Sequence, residues 1–301
     1  MAKILITGGT GLIGGYLIKE LSEKGHAIRL FSRNPDKSTL FPTFFWDIKN
    51  NQIDEKAFEG IDTIIHLAGA NIGASKWTID RKQEIIASRV YSANLLFRKC
   101  KELNIKLKAF ISASGIAFYG NNPTTHTFVE GDPAGNDFLA EVAKKWEAAA
   151  NKFNELGARV VTLRTAIVLA KEAEALSKMV TPIKLGIGAP LGRGKQYMPW
   201  IHINDLVNMY PLAIERENIN GNYNAVAPSH INNTAFMKTI ASALNKPFFM
   251  PNVPTFVLRA ALGEMADLVL KGNKVAPKRF VEEEHFQFEF VDLKSALESV
   301  L

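Results

Sequence analysis

The chain has 301 residues, 47% of them apolar and 22% charged, which excludes a disordered tail or fibre and is typical of one large α/β unit or two modest lobes. Lys and Arg (36) outnumber Asp and Glu (30), and the resulting charge of +6 suits anionic ligands; the charges are scattered, so nucleic-acid binding is not expected. No apolar stretch approaches the ~20 residues of a membrane-spanning helix, and a single cysteine, Cys100, excludes an internal disulfide, so we expect a cytoplasmic protein without a membrane anchor.

The first segment of the chain predicts a complete βαβ unit. Lys3 to Thr7 (KILIT) is an apolar run typical of a buried parallel strand, the helical spacing of GYLIKELSEKG ends at Gly25, and a second strand, AIRLFSR, follows. The glycines between them fit the spacing GxGxxG, which lets a dinucleotide pyrophosphate approach backbone N–H groups at a helix N-terminus. The residues expected to contact a cofactor in this turn are Gly8, Gly9, Thr10, Gly11, Leu12, Ile13 and Gly14.

The end of the second predicted strand favours NADP over NAD. An NAD-preferring unit places Asp or Glu about 20 residues after the glycines, at the ribose 2′-hydroxyl, whereas this position reads Ser32-Arg33, with Lys37 nearby. An arginine binds a 2′-phosphate bidentately, and no carboxylate is there to repel the phosphate. The alternative is that Arg33 is only a solvated residue at a strand end.

Two further strands are predicted over 44–48 (FFWDI) and within 62–70 (DTIIHLAGA). The second ends in small residues, which a cofactor lying across the carboxyl edge of a parallel sheet requires. His66 at its end is interpreted as a hydrogen-bonded structural residue rather than a catalyst. The predicted cofactor contacts from this part of the chain are Leu67, Ala68, Gly69, Ala70 and, from the following helix, Arg89.

The motifs TGGTGLIG, HLAGA and KAFISASGIAFYG together resemble those of the extended short-chain dehydrogenase/reductase superfamily of NAD-dependent epimerases and dehydratases. Later segments, among them LRTAIVLA, LGIGAPLGRGKQYMPWIHINDL and LKGNKVAPKRF, occur in the order seen in its atypical subgroup of YfcH-like and SDR39U1-like epimerase family proteins. The resemblance covers essentially the entire chain. It implies an α/β fold with a doubly wound Rossmann parallel sheet that binds NADP and a smaller C-terminal substrate lobe.

The resemblance also implies a catalytic set that this chain carries only in part. In the superfamily, a Ser or Thr after the fifth strand orients the substrate oxygen, a Tyr is the acid/base, and a Lys four residues later lowers the pKa of that Tyr. Ser114 occupies the serine position, but alignment on Glu147 places Leu139 at the tyrosine position and Ala143 at the lysine position. Neither side chain can carry a proton.

Substitutes for the missing proton carrier must come from elsewhere. Tyr119 follows the serine closely, although its interpretation as a packing residue at the strand end is preferred. His202 has an imidazole that titrates near 6.5 when unperturbed, and Asp205 is placed where it could orient that ring, although a helix-capping role for both residues is the preferred interpretation. Lys144 and Lys145 flank the vacant lysine position, and a rotation of about 100° per helical residue points them to solvent. The candidate catalytic residues are therefore Ser114, Tyr119 and His202.

The predicted domains are an NADP-binding Rossmann core over 1–170, to which later strands return from about 195–227, and a smaller substrate lobe over 171–301 that includes the subgroup's C-terminal segment from about 250. VVTLRTAIVLA is assigned to the main sheet, and HFQFEFVDL resembles a strand that enters the last helix. The glycine-rich loop 186–194 has two interpretations. It is either a flexible loop that closes over an anionic substrate with Arg193 and nearby Lys195, or a plain surface hairpin. The six histidines are dispersed, so no metal site is expected.

Two functions are compatible with these patterns. The first is an NADP-dependent oxidoreductase or nucleotide-sugar epimerase-like enzyme that acts on a small molecule which the sequence does not identify. The second is a non-catalytic protein that senses NADP(H), having lost catalysis with the tyrosine and the lysine. Extended relatives form a homodimer through helices that correspond here to residues around 80–102 and 136–156, but the apolar side chains there are explained equally well by the core of a monomer.

Overall fold

The computed structural model describes residues 1–35, 40–120 and 125–301. Most of the strands found there belong to one large sheet, and the remainder form two small two-stranded sheets. The strands are β1 (Lys3–Thr7), β2 (Ala27–Ser32), β3 (Thr43–Asp47), β4 (Gln52–Ile53), β5 (Thr63–His66), β6 (Ala109–Gly115), β7 (Thr127–Phe128), β8 (Arg159–Thr165), β9 (Ile167–Leu169), β10 (Trp200–His202), β11 (Gly221–Ala225) and β12 (Lys274–Val275).

Helices connect these strands and cover both faces of the large sheet. Short 3₁₀ turns include Ile116–Tyr119 after β6 and Gly263–Ala266 between α7 and α8. The α-helices are α1 (Leu12–Glu23), α2 (Ile79–Glu102), α3 (Phe138–Asn151), α4 (Glu174–Lys184), α5 (Ile203–Glu215), α6 (Asn233–Ala243), α7 (Thr255–Leu262), α8 (Asp267–Leu270), α9 (Lys278–Glu282) and α10 (Leu293–Glu298). Within the described ranges, no helix is long and apolar enough to cross a bilayer.

The large sheet has the strand order β11-β8-β6-β5-β1-β2-β3-β4 and is parallel except for the β3–β4 pair. The chain moves outward from β1 through β2 and β3, and then returns to place β5, β6, β8 and β11 on the other side of β1. This reversal opens a crevice at the carboxyl ends of β1 and β5, where doubly wound sheets bind ligands. The predicted fold class, a doubly wound Rossmann sheet, is confirmed.

Two apolar clusters lie on opposite faces of this sheet because side chains alternate along a strand. Ile4 and Ile6 face a cluster that also contains residues of α4, α6 and α10, whereas Leu5 faces a second cluster with Phe110 and Phe153. Each fully buried side chain of this size contributes about 1.5–3 kcal/mol. Since the first cluster joins the sheet to helices after residue 170, the predicted domain boundary is not visible as a break in the core and stays a prediction.

The structure corrects two expectations for the second half of the chain. Only residues 160–165 of VVTLRTAIVLA join the large sheet, as part of β8, because Ile167–Leu169 turns away to pair with β10. The segment 285–290 is an extended coil rather than a strand. Its backbone N–H groups at Glu289 and Phe290 donate to the carboxylate of Asp205, at 2.7 and 3.1 Å, instead of to a neighbouring strand.

Candidate active site and cofactor cleft

The turn between β1 and α1 requires glycine at two positions. Gly8 has a φ of +73°, and a Cβ atom there would lie 2.9 Å from the backbone nitrogen of Ala68. A Cβ atom at Gly14 would lie 2.5 Å from the carbonyl oxygen of Gly8. Because these neighbours are backbone atoms, they cannot move aside as a flexible side chain does. The glycines therefore allow β1, α1 and the end of β5 to meet closely.

The N-terminus of α1 faces the crevice without a capping side chain. Its N-cap residue is Gly11, and its first turn contains no acidic residue. The backbone N–H groups of the first helical turn, including those of Leu12 and Ile13, have no carbonyl partner within the helix. Together with the helix dipole, they make this end of α1 suited to an anion such as a pyrophosphate.

A cleft of about 610 Å³ opens at the carboxyl ends of β1, β2, β3 and β5. Most of the predicted cofactor contacts line it; of the others, Gly9 and Gly14 are buried in the turn, Leu12 and Ile13 begin α1, and Arg89 is buried on α2. The predicted residues that line the cleft are Gly8, Thr10, Gly11, Ser32, Arg33, Leu67, Ala68, Gly69 and Ala70.

One wall of the cleft was missed by the sequence interpretation. Phe31 and Trp46 line it with their rings stacked, 5.4 Å between centroids, and Ile48, Asn34 and Glu84 also contribute. The signal was present in the segment FFWDI, since β3 lies next to β2 and the residues at its carboxyl end reach the same edge of the sheet.

The end of the cleft beside β2 carries a cation, Arg33, next to a part of the chain that the structure does not describe. Arg33 and Asn34 are exposed, and the backbone N–H of Asn34 donates to Ser32 Oγ at 3.0 Å. Arg33 makes no ion pair with any described residue, and no carboxylate from the described part of β2 and its following turn faces it. Lys37, which the sequence placed nearby, lies outside the described residues.

A second cleft, of about 500 Å³, lies at the opposite edge of the sheet, where the strands begin. It is lined by polar groups of both signs, including Asp62, Lys108, Arg159 and Glu215. Neither the glycine turn nor the N-terminus of α1 reaches this edge, so it lacks the groups suited to a pyrophosphate.

His66 is a buried structural residue behind that cleft. Its Nδ1 lies 2.7 Å from Thr7 Oγ1, and its Nε2 lies 3.1 Å from Ser92 Oγ. Burial lowers the pKa of this imidazole to about 4, so the ring is neutral at pH 7. It links the residue before the glycine turn to α2, which agrees with the structural interpretation made from the sequence.

We expect the free energy of unfolding to fall as the pH drops from 6.5 towards 4. The unfolded state takes up a proton on His66 near pH 6.5, whereas the folded state does so only near its pKa of about 4. A shift of this size corresponds to about 3 kcal/mol. Urea denaturation at several pH values should show a smaller pH dependence in His66→Asn than in wild type. His285→Asn, at an exposed residue, is the control and should leave the dependence unchanged.

Arg89 is a buried cation beneath the cleft wall. Its guanidinium donates to the carbonyl oxygens of Ile85 and Ala70, both at 3.0 Å, and lies 4.9 Å from the centroid of the Trp146 ring. Among the described residues it has no carboxylate partner, and its Nε has no hydrogen-bond partner. Burial lowers its pKa to about 10, so it stays protonated at pH 7 and adds positive charge behind the cleft.

Ser114, at the end of β6, belongs to a buried ionic network. Its hydroxyl donates to Glu147 Oε1 at 2.9 Å. Arg164, which lies opposite it on β8, binds the same carboxylate bidentately through Nε and Nη2, both at 2.9 Å. In this arrangement the serine proton is directed at Glu147, so its oxygen presents only lone pairs to a substrate.

Tyr119 is placed inside this network, away from solvent. It is 1% exposed, donates to Asn224 Oδ1 at 2.8 Å and accepts from Arg164 Nη1 at 2.9 Å. Burial raises the pKa of its phenol to about 12. The geometry therefore supports the packing interpretation, and Tyr119 does not reach a substrate with a free hydroxyl.

His202 caps α5 rather than facing the cleft. Its Nδ1 accepts from the backbone N–H of Asn204 at 3.2 Å, and its ring packs on Phe290 with 3.7 Å between centroids. Burial lowers its pKa to about 4. This position of His202 agrees with the preferred capping interpretation. Asp205 does not orient the ring, because both oxygens of its carboxylate accept from the backbone N–H groups of Glu289 and Phe290.

The helix expected to carry the tyrosine and lysine of the superfamily is α3, capped by Asp137 as its sequence indicates. Leu139 and Ala143 are both buried on this helix. Lys144 is paired with Glu141, and Lys145 is exposed, in agreement with the expectation that both lysines face solvent. The assignment of these two residues to the tyrosine and lysine positions stays a prediction.

The glycine-rich loop 186–194 is packed into the C-terminal half rather than forming a free hairpin. A Cβ atom at Gly194, where φ is +69°, would collide with Thr234 Oγ1, and Gln196 Nε2 donates to the carbonyl oxygen of Val269 at 2.7 Å. Arg193 and Lys195 remain exposed on it. Over the described ranges, no group of three or more His, Cys, Asp or Glu is arranged to hold a metal ion.

The sheet order, the glycine turn and the cleft at its switch point define a nucleotide-binding protein of the Rossmann class. A model of the NAD dependent epimerase/dehydratase family matches residues 4–225, and the chain belongs to this family. Residues 253–300 match a second model, described as a domain of unknown function (DUF1731). The resemblance inferred from the sequence is confirmed.

The similarity to known proteins covers essentially the whole chain. Epimerase family protein SDR39U1 of Mus musculus is 35% identical, and epimerase family protein SAR0825 of Staphylococcus aureus is 33% identical, covering 99% and 100% of this chain and 99% of each relative. The crystal structure of human epimerase family protein SDR39U1 (isoform2) with NADPH has a TM-score of 0.86 at 31% identity, over 99% of this chain and 98% of that one. A UDP-glucose 4-epimerase of Thermotoga maritima, at 17% identity and a TM-score of 0.80, shares the fold.

Proposed function

We propose that this protein binds NADP(H) in the cleft at the carboxyl ends of β1, β2 and β5 and acts as an oxidoreductase or epimerase-like enzyme on a small molecule. The observation that carries this proposal is the row of three features along one cleft: the glycine turn, the uncapped N-terminus of α1, and Arg33, which pairs with no carboxylate among the described residues. The NADPH in the crystal structure of the human relative supports the same cofactor.

Each part of the cleft suits a different group of the cofactor. The N-terminus of α1 suits the pyrophosphate, and Ser32 with Arg33 suits a 2′-phosphate, which a carboxylate at this place would repel. The wall of Phe31 and Trp46 lies beside the same end. The opposite end, at residues 67–70, leads towards Ser114 across the carboxyl ends of β5 and β6. NADP is therefore favoured over NAD.

The proposed chemistry is hydride exchange with the nicotinamide, which the cofactor supplies when it is bound. Ser114 orients the substrate by accepting a hydrogen bond from its hydroxyl, because the serine's own proton is directed at Glu147. We assign the vacant tyrosine and lysine positions to Leu139 and Ala143. Tyr119 and His202, both buried and hydrogen-bonded within the protein, do not replace them.

The second candidate function is a non-catalytic NADP(H)-sensing protein. One observation favours it: each candidate acid/base near the predicted reaction end is either apolar or bound to another protein group. A sensor needs the cleft but no proton carrier.

A titration with NADPH followed by turnover measurements separates the two functions. Quenching of tryptophan fluorescence and the fluorescence of bound NADPH report binding, since Trp46 lines the cleft. The same sample is then tested for NADPH oxidation against a panel of carbonyl compounds and for conversion of nucleotide sugars. Turnover supports the enzyme and tight binding without turnover supports the sensor; absence of binding contradicts both.

The proposal includes a cytoplasmic location, a small-molecule substrate and no nucleic-acid or membrane partner. Burial raises the pKa of the Cys100 thiol to about 12, which makes it unreactive at neutral pH. A homodimer through α2 and α3 stays a prediction, and sedimentation velocity distinguishes it from a monomer.

A further inference from the structure

Residues 71–78 leave the cleft wall and run to the N-terminus of α2. The wall itself ends at Gly69 and Ala70, and the backbone N–H of Ala70 donates to Ser88 Oγ at 2.9 Å. Thr78 then caps α2, its hydroxyl accepting from the backbone N–H of Arg81. The segment is thus fixed at both ends by residues next to the cleft.

The beginning of this segment is bound to α4, more than 100 residues away in sequence. The side-chain amide of Asn71 donates to Glu174, and Lys178 Nζ donates to the carbonyl oxygen of Gly73 at 2.9 Å. Glu174 and Lys178 also pair with each other at 2.5 Å. Since α4 lies in the predicted substrate lobe, these contacts connect the cleft wall to that lobe.

The far end of the segment packs beside the predicted reaction end. Trp77 donates from Nε1 to the carbonyl oxygen of Ile72 at 3.0 Å, and its ring meets Phe138 edge-on with 5.1 Å between centroids. Phe138 directly precedes Leu139, the residue at the tyrosine position. Lys82 lies 5.1 Å from the centroid of the Phe138 ring and is paired with Glu264 of the C-terminal segment.

The contacts with α4 are made by exposed side chains. The side chains of Glu174 and Lys178 are 47% and 58% exposed, and exposed ion pairs of this kind are weak. Releasing these two side chains leaves the buried core untouched, whereas the contact of Trp77 with Phe138 holds the far end of the segment in place.

We infer that residues 71–78 form a strap over the nicotinamide half of the cleft, and that Glu174 and Lys178 are positioning residues that hold the strap closed on bound NADP(H). The inference rests on the proposed NADP(H) site and adds its regulation. The cofactor enters while the strap is open, and the bridge to α4 then slows its release and transmits its presence to the predicted substrate lobe.

The double substitution Glu174→Ala/Lys178→Ala tests the strap. We expect it to raise the dissociation rate of NADPH about 5-fold, measured by stopped-flow displacement, because roughly two surface contacts are lost. Adenosine 2′,5′-bisphosphate, which lacks the nicotinamide half, should dissociate at the wild-type rate. Hydrogen–deuterium exchange should show protection of 71–78 and of α4 with NADPH but not with the bisphosphate.

A matched control comes from α10, where Lys294 and Glu298 form a similarly exposed pair at 3.7 Å. Alanine at both positions should leave both dissociation rates unchanged. Equal acceleration of NADPH and bisphosphate release by the α4 variant, or no acceleration of either, overturns the strap while leaving NADP(H) binding intact. If wild-type protein does not bind NADPH at all, the proposed function fails, and the strap with it.

Discussion

Arg33→Glu should weaken NADPH binding by about 100-fold or more and leave NADH binding within a few-fold of wild type. The substitution removes a charge-assisted, bidentate hydrogen-bonding group from the 2′-phosphate and puts a repelling carboxylate in its place, and a loss of about 3 kcal/mol corresponds to two orders of magnitude. Since Arg33 is exposed and makes no ion pair with a described residue, the melting temperature should not change. Fluorescence titration with each cofactor measures the two affinities.

The control for Arg33→Glu is Lys246→Glu, which changes the net charge by the same amount at an exposed site after α6. If attraction by the overall positive charge were responsible for NADPH binding, both variants would weaken it equally. An equal loss of NADPH and NADH affinity in Arg33→Glu would mean that Arg33 does not distinguish the 2′-phosphate. Wild-type protein that prefers NADH would contradict the assignment of NADP directly.

The part of the fold predicted from sequence is the part that local physics determines. KILIT places three apolar residues, Ile4, Leu5 and Ile6, where the two faces of a parallel sheet are buried, and Gly14 is required by backbone contacts with Gly8 and Gly9, a few residues away. Asp137 predicts the start of α3 because N-capping depends only on the next three residues. Such signals need no knowledge of the distant chain.

The remainder depends on partners that are far apart in sequence. Tyr119 has the same local appearance whether its hydroxyl faces a substrate or Arg164, and only the pairing of β6 with β8 decides between them. In the same way, Asp205 carries no sign that its carboxylate binds the backbone 84 and 85 residues later. Phe31 and Trp46 become one wall only because β2 and β3 are neighbours in the sheet.

The network around Arg164 gives Ser114 a structural role whether or not the protein is an enzyme. Glu147 and Tyr119 accept hydrogen bonds from one buried guanidinium, which also lies 3.4 Å from the centroid of the Phe118 ring, and Ser114 donates to the same carboxylate. A buried charge left without its partners is costly, so these residues are constrained by stability alone. Loss of activity on substituting Ser114 would therefore identify a catalytic role only if stability were measured beside it.

Glu147→Leu should destabilise the protein by about 3–5 kcal/mol, the usual cost of leaving a buried charge unpaired. Glu147 is 5% exposed and Arg164 is 1% exposed, so water cannot replace the bidentate carboxylate. Urea denaturation at pH 7 measures the effect. Ser114→Ala, which removes one hydrogen bond and keeps the ion pair, should cost only about 1 kcal/mol.

Adding Arg164→Met to Glu147→Leu should recover about half of the lost stability, because the unpaired charge is then gone. Recovery is incomplete since Arg164 also donates to the Tyr119 hydroxyl and to the carbonyl oxygen of Glu130, and these acceptors lose their donor. The double-mutant cycle gives the coupling energy between the two side chains. A coupling energy near zero, with Glu147→Leu as stable as wild type, would show that the carboxylate is not held as a charged partner of Arg164, and would leave it free to take up the proton of Ser114.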